Sequence, residues 1–153
     1  MSRRAEIVMS ADEVAELLAR GRTVTCATNG RDGWPHLMPL WYVIRTSELW
    51  AWTYAKSQKV ANLRRDPRCT LQVETGTEYS ELRGVMLACE AVVHEGVDVV
   101  APVGAAIAAR YGGARLTPEL EAAMRAQAAK RVALEFVERR RATWDHRKLG
   151  GTY

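Results

Sequence analysis

The feature that most constrains this fold is the spacing of its strand-like segments. Three runs rich in β-branched and aromatic residues, at 23–28, 35–45 and 48–54, follow one another closely. Asn29-Gly30 lies in the first link and is typical of a turn, and the second link is only Thr46-Ser47. Because a parallel crossover needs about a dozen residues or more, these links predict antiparallel neighbours.

Helical patterns interrupt the strands. Ser10 followed by Glu13 forms a capping-box pattern and predicts a helix over 11–20. A second helix is predicted over 57–65 and ends before Pro67, because the residue preceding a proline avoids the helical region. The other predicted elements are strands at 69–75, 84–94 and 132–144 and helices at 97–111 and 118–129. We therefore predict one α+β domain in which six mostly antiparallel strands close into a small barrel with flanking helices.

Composition narrows the cellular setting and the chemistry. The chain has no run of 18 apolar residues, so no membrane helix is expected. Its first residues turn polar at Glu6 before any apolar run, which does not match a secretory signal and favours the cytoplasm. The cysteines and histidines form no CxxC or HxxxH pair, so we expect buried free thiols and no metal.

The net charge is +4, and the sequence pI is about 9.2. This charge permits an anionic partner without naming one. Because the chain contains no zinc finger, no RNA-binding motif and no convincing helix-turn-helix, a nucleic-acid partner is not expected. It also lacks a GxSxG elbow, a phosphate-binding P-loop and a dinucleotide fingerprint, so a bound cofactor would have to supply the chemistry.

The most informative segment runs from Trp52 to Pro67. A strand ends there, a loop carrying Lys56, Ser57 and Lys59 follows, and a helix begins. Unpaired N–H groups at a helix start, together with Lys and Ser side chains, are well suited to a phosphate. A basic loop in which Ser57 caps the helix is equally consistent with the spacing alone.

A resemblance to a known family bears on this choice. The run 55–68 is similar to the phosphate-binding signature of the pyridoxamine-phosphate-oxidase-like split-barrel family, in particular its F420-dependent flavin/deazaflavin oxidoreductases of subgroup B. Further similar segments are 25–28 with 32–36, 38–42, 83–85 and 144–149. The resemblance extends over about residues 5–149 and implies one FMN-type split-barrel domain there.

The resemblance implies eight cofactor-binding positions in two groups and no assigned catalytic residue. The phosphate group consists of Lys59, Ser57 and Asn62, with Lys56 as a helper. The ring group consists of Pro39, Leu40 and Trp41, whose backbone would lie along the ring, and Thr53 near the ring edge. A proton would come from solvent, His36 or Tyr42.

The implied function is that of a homodimeric oxidoreductase. It would bind coenzyme F420 at the dimer interface and transfer a hydride to a small, planar conjugated substrate. Lys56, Arg64 and Arg65, with Arg147 or Lys148, would meet the anionic F420 tail, although a solvated basic surface explains these residues equally well. The alternatives are an FMN-binding protein of the wider family and a non-catalytic F420-binding protein.

Overall fold

The computed structural model describes residues 3–150. The helices are α1 (Arg3–Glu6), α2 (Ala11–Arg20), α3 (Gln58–Arg65), α4 (Val97–Gly112) and α5 (Pro118–Ala128). The strands are β1 (Val24–Asn29), β2 (Pro35–Leu40), β3 (Val43–Arg45), β4 (Glu48–Tyr54), β5 (Arg68–Thr75), β6 (Arg83–His94) and β7 (Arg131–Asp145). Short 3₁₀ turns occupy Tyr79–Glu81 and His146–Leu149.

Within the described residues, seven strands form one antiparallel sheet in the order β2-β1-β5-β6-β7-β4-β3. The α+β class and the antiparallel pairing are as predicted, but the prediction of six strands is wrong. The predicted strand over 35–45 is two strands, β2 and β3, which lie at opposite ends of the strand order. The link of Trp41 and Tyr42 therefore carries the chain from one edge of the sheet to the other.

The break at Tyr42 has a specific cause. The backbone N–H of Tyr42 donates to the Tyr111 hydroxyl at 3.0 Å, and that hydroxyl donates to the Tyr42 carbonyl, also at 3.0 Å. The Arg110 guanidinium donates to the same carbonyl. Side chains of α4 thus satisfy the Tyr42 backbone in place of a neighbouring strand. The Tyr42 backbone groups need no partner in the sheet, and the strand is interrupted here.

Two apolar clusters lie on the two faces of the curled sheet. Inside the curl, Leu71, Leu134 and Phe136 are at most 1% exposed. On the outer face, α4 packs on β3, β4 and β7. A Cβ atom at Gly104 would lie 2.3 Å from the Trp52 ring, so the absence of a side chain allows α4 to approach this closely.

The helix α2 has the predicted limits. Ser10 accepts a hydrogen bond from the Glu13 N–H at 3.2 Å, and the Glu13 carboxylate accepts one from the Ser10 N–H at 2.6 Å, which completes the capping box. No helix in the described part of the chain is long and apolar enough to cross a bilayer. The three cysteines are buried free thiols, as predicted.

Candidate cofactor site

The helix α3 joins two distant strands of the sheet. Lys59 and Asn62 are buried on this helix. The Lys59 ammonium donates to the Thr53 hydroxyl on β4 at 3.3 Å, and the Asn62 amide donates to the Thr28 hydroxyl on β1 at 3.0 Å. Since β1 and β4 are not neighbours in the sheet, these two contacts show that α3 closes one end of the curled sheet.

Lys59 is a buried cation without a counter-ion. It is 8% exposed, and no carboxylate in the described chain lies within 4.0 Å of its ammonium group. Burial lowers the pKa of Lys59, because the charged form loses hydration. An ammonium group has three donors, and the neutral Thr53 hydroxyl satisfies one of them. A bound anion would satisfy the remaining donors and offset the charge.

Ser57 adds a second incomplete group at the start of α3. It occupies the N-cap position with φ −71° and ψ 153°, but its side chain makes no capping hydrogen bond. Its hydroxyl oxygen is buried and has no partner among the described residues. The interpretation in which Ser57 caps the helix through its side chain is therefore wrong. The hydroxyl is available beside the N–H groups that every helix start leaves unpaired.

Asn62 is fully engaged by the chain itself. It is 0% exposed, and in addition to its bond to Thr28 its carbonyl oxygen accepts from the Gln58 amide at 2.9 Å and from Arg65 at 3.4 Å. In the ligand-free chain, the bond to Thr28 fixes α3 against β1. Lys56 is exposed and forms no ion pair within residues 3–150.

Three members of the ring group lie on β2 and the link that follows it, and the fourth, Thr53, lies on β4. Leu40 is 8% exposed and packs in the core, so only its backbone can meet a ligand. Pro39 is exposed, and Trp41 is 57% exposed. The Trp41 ring stacks on Tyr111 of α4, with centroids 4.5 Å apart and planes 9° apart, which holds a flat aromatic surface at the protein boundary.

The structure brings Lys59 and Thr53 into contact and places Ser57 and Asn62 on the same short segment. Thr53, which the resemblance places near the ring edge, therefore contacts the phosphate group, whereas no hydrogen bond or ring contact within residues 3–150 joins this segment to Pro39, Leu40 or Trp41. No cluster of three or more His, Cys, Asp or Glu side chains in the described residues is arranged for a metal ion.

Sequence reasoning missed two contributors. Thr28 continues the inward alternation of Val24 and Cys26, and a polar residue at such a position is a signal that a buried partner exists. Tyr111 has no comparable signal, because its contacts with Trp41 and Tyr42 span about seventy residues of sequence.

Comparison with known proteins places this geometry in a family. The family model described as pyridoxamine 5'-phosphate oxidase matches residues 10–144. A conserved hypothetical protein from Mycobacterium tuberculosis, Rv2991, is 43% identical in sequence. Its structure superposes with a TM-score of 0.90, over 98% of this chain and 93% of that one. None of the curated proteins matches the chain.

More distant structures share the fold. An F420 reductase is 18% identical with a TM-score of 0.66, over 88% of this chain and 98% of that one. A FAD-binding protein from Mesorhizobium loti is also 18% identical with a TM-score of 0.63, over 89% of this chain and 94% of that one. The family resemblance predicted from the sequence is thereby confirmed: the chain belongs to the pyridoxamine 5'-phosphate oxidase family of split-barrel, flavin-binding proteins.

Proposed function

We propose that the protein is a homodimeric oxidoreductase, with one domain over residues 5–149, that binds coenzyme F420 at the dimer interface. In this proposal it transfers a hydride to a small, planar conjugated substrate. The observation that carries the proposal is the buried Lys59 ammonium, which has one neutral partner and lies two residues from the unpartnered Ser57 hydroxyl. A phosphate group matches both groups in charge and in hydrogen bonding.

The chain's own residues have definable tasks in this function. Lys59 and Ser57 bind the phosphate, and the Thr53 hydroxyl orients the Lys59 ammonium. Asn62 keeps α3 in register with β1, so that both phosphate-binding groups stay in place. The hydride would come from the deazaflavin when it is bound. The protein then contributes orientation and exclusion of water, and it needs no strongly acidic side chain.

Trp41 and Leu40 support the ring position. The exposed face of Trp41 offers an apolar plane, and its stacking on Tyr111 fixes the orientation of that plane. Leu40 anchors the backbone by burying its side chain in the core. A ring that lies along this backbone would meet the open edge of the sheet, because β2 forms one end of the strand order.

Fewer unpaired basic side chains are available to bind the F420 tail than the sequence implies. Arg64 pairs with Glu95, and Arg65 donates to a backbone carbonyl. Arg147 and Lys148 pair with carboxylates at 2.6 and 2.7 Å respectively. Lys56, which is exposed, is the tail-binding candidate with no ion pair in the described chain. FMN, which has the phosphate but no such tail, is therefore the second candidate cofactor.

The exposed apolar surface around β2 supports the dimer. Trp34, Leu37, Met38 and Trp41 are between 42% and 77% exposed. They lie on or beside a strand at the open edge of the sheet. An exposed apolar edge strand favours association with another chain, and a second copy would bury it. We propose that this contact completes the cofactor site.

The test is a titration of the purified protein with F420 and, separately, with FMN, followed by tryptophan and cofactor fluorescence. We expect saturable F420 binding that Lys59→Met weakens at least tenfold and that the exposed control Lys56→Met weakens less. Preference for FMN would assign the protein to the flavin branch, and binding of neither would refute the cofactor claim.

Turnover separates the oxidoreductase from a cofactor-storage protein. Reduced F420 is incubated with conjugated acceptors, such as quinones and enones, and its oxidation is followed by absorbance. Acceptor-dependent oxidation that Lys59→Met slows about tenfold or more at subsaturating cofactor supports hydride transfer. Tight binding without oxidation by any acceptor would support the non-catalytic alternative.

A further inference from the structure

A groove unrelated to the phosphate-binding segment lies between β3, α4 and α5, and its volume is about 740 Å³. On the α4 side it is lined by Pro102 and Ala106, which are one helical turn apart. Their small side chains leave space beside the helix. On the α5 side, Ala128 is the buried residue among those described, so this helix packs only lightly on the sheet. Cavities of this size are typical of small-molecule sites.

Apolar side chains at the mouth of the groove are unusually exposed. Ile44 on β3 is 44% exposed, and Leu116 before α5 is 63% exposed. Both face water in the ligand-free chain, and an apolar molecule in the groove would cover them. Removal of such surface from water favours binding.

The charge of the groove limits what this molecule can be. Three arginines and one glutamate line it. Arg110 is occupied by the carbonyls of Leu18, Ala19, Gly21 and Tyr42. Arg125 pairs with Asp98 at 2.9 Å.

Arg45 is the remaining cation of the groove. It has no carboxylate partner in the described chain, and its guanidinium lies 5.2 Å from the centroid of the Trp50 ring. The acidic lining residue, Glu121, lies one helical turn before Arg125 on α5, and like Arg45 it forms no ion pair in the described chain. The groove thus combines an apolar floor with one unpaired guanidinium, which carboxylates bind through charge-assisted hydrogen bonds.

We propose that this groove binds a free amphipathic carboxylate, with the alkyl chain along Pro102 and Ala106 and the carboxylate at Arg45. The proposal uses none of the residues assigned to the cofactor and does not depend on the cofactor's identity. A neutral alkyl molecule would leave Arg45 unpaired, and an alkyl cation would be repelled by it.

The experiment is isothermal titration of the full-length protein with dodecanoate below its micellar concentration. Two exposed neighbours on α5 give a matched pair of variants: Ala122 lines the groove and Ala123 does not. We expect Ala122→Trp to weaken dodecanoate binding at least tenfold and Ala123→Trp to leave it unchanged. Because both alanines are exposed, both variants should fold, and thermal unfolding checks this.

The role of the dodecanoate carboxylate is tested with variants that leave the groove open. Arg45→Gln should weaken dodecanoate binding about fivefold, the size expected for a partly exposed ion pair. Arg31→Gln, in an exposed turn, should leave the affinity unchanged. Dodecanol should bind more weakly than dodecanoate to the unmodified protein.

Four outcomes would overturn the proposal. They are the absence of saturable dodecanoate binding, an equal effect of the two tryptophan variants, equal affinity for dodecanol and dodecanoate, and a change in sedimentation mass caused by Ala122→Trp in the ligand-free protein. The last would show that a second copy of the chain covers the groove. Cosedimentation with phosphatidylglycerol vesicles without dodecanoate binding would assign the surface to a membrane and would equally refute a free ligand.

Discussion

Replacement of Lys59 by methionine should stabilise the ligand-free protein. The Lys59 ammonium is 8% exposed and donates one hydrogen bond, to the Thr53 hydroxyl at 3.3 Å. Two of its donors therefore lack a partner among residues 3–150, and each unsatisfied buried donor costs about 1 kcal/mol or more. Methionine preserves the unbranched shape without the charge. We expect Lys59→Met to raise the free energy of unfolding by about 2 kcal/mol at pH 7.

The pH dependence has a definite sign. Burial lowers the pKa of Lys59 below 10.5, so the unfolded chain binds more protons between the folded and unfolded pKa values. The stability of the unmodified protein should therefore rise as the pH increases from the lowered folded pKa toward 10.5. Lys59→Met lacks this contribution, so its advantage should shrink across the same interval.

The assay is urea unfolding followed by tryptophan fluorescence, at pH 7 and at pH 10. Lys56→Met is the matched control, because it removes the same charge from an exposed side chain and should change stability by less than about 0.5 kcal/mol. Inorganic phosphate should stabilise the unmodified protein more than Lys59→Met. Destabilisation of Lys59→Met, or equal behaviour of the two variants, would refute the unpaired-cation argument.

Three further substitutions test the fold through urea unfolding at pH 7. Asp145→Asn should destabilise by about 3 kcal/mol, because it breaks a buried charge network. The hydrogen bond from Arg147 is the main reason that the pKa of Asp145 is lowered. The contribution of this carboxylate to the free energy of unfolding is therefore present above about pH 4 and is lost as the pH falls through the folded pKa. If Asp145→Asn loses stability at acid pH in the same way as the unmodified protein, this explanation is contradicted. Thr46→Asn should stabilise by about 0.5–1 kcal/mol, because φ at this turn position is 49° and a β-branched residue is strained there; a loss of stability would contradict this explanation. Gly104→Ala should destabilise by about 2 kcal/mol despite the better helix propensity of alanine, because its Cβ would overlap the Trp52 ring. A stabilised variant would show that the Trp52 ring can move aside at little cost.

Local sequence signals predicted the elements whose determinants are local. The limits of α2 follow from Ser10 and Glu13, which are three residues apart and bond to each other. The short hairpin link at 46–47 predicted the pairing of β3 with β4. The break between β2 and β3 was not predictable in this way, because the groups that satisfy the Tyr42 backbone come from α4.

The candidate site also combines features that depend on local sequence with features that depend on distant parts of the chain. The positions of Ser57 and Lys59 at a helix start are visible in the sequence, and the proposal that they bind a phosphate rests on the family resemblance. The burial of Lys59 depends on α3 closing the sheet end, which requires β1 and β4 to approach each other. Lys59 and Leu63 are one helical turn apart and are both buried, so helical spacing from Leu63 would have indicated the inward direction.

The apolar groove was invisible from the sequence for a different reason. Arg45 and Ala122 are separated by about half of the chain, and only the packing of α5 and β3 on α4 places them on one cavity. Neither residue belongs to a recognisable motif. Sites formed between elements that pack lightly must therefore be found in the structure.

The central claim is that Lys59 meets the phosphate of the cofactor, and a thermodynamic cycle tests it most directly. The dissociation constants of FMN and riboflavin, which differ by the phosphate alone, are measured for the unmodified protein and for Lys59→Met. F420 and its deazaflavin ring with the ribityl chain, which lacks both the phosphate and the tail, are the second pair. The account predicts that Lys59→Met weakens the phosphorylated ligand by about tenfold or more and leaves the phosphate-free ligand nearly unchanged, a coupling of about 1.4 kcal/mol. Equal weakening of both ligands, or of neither, would show that Lys59 does not contact the phosphate.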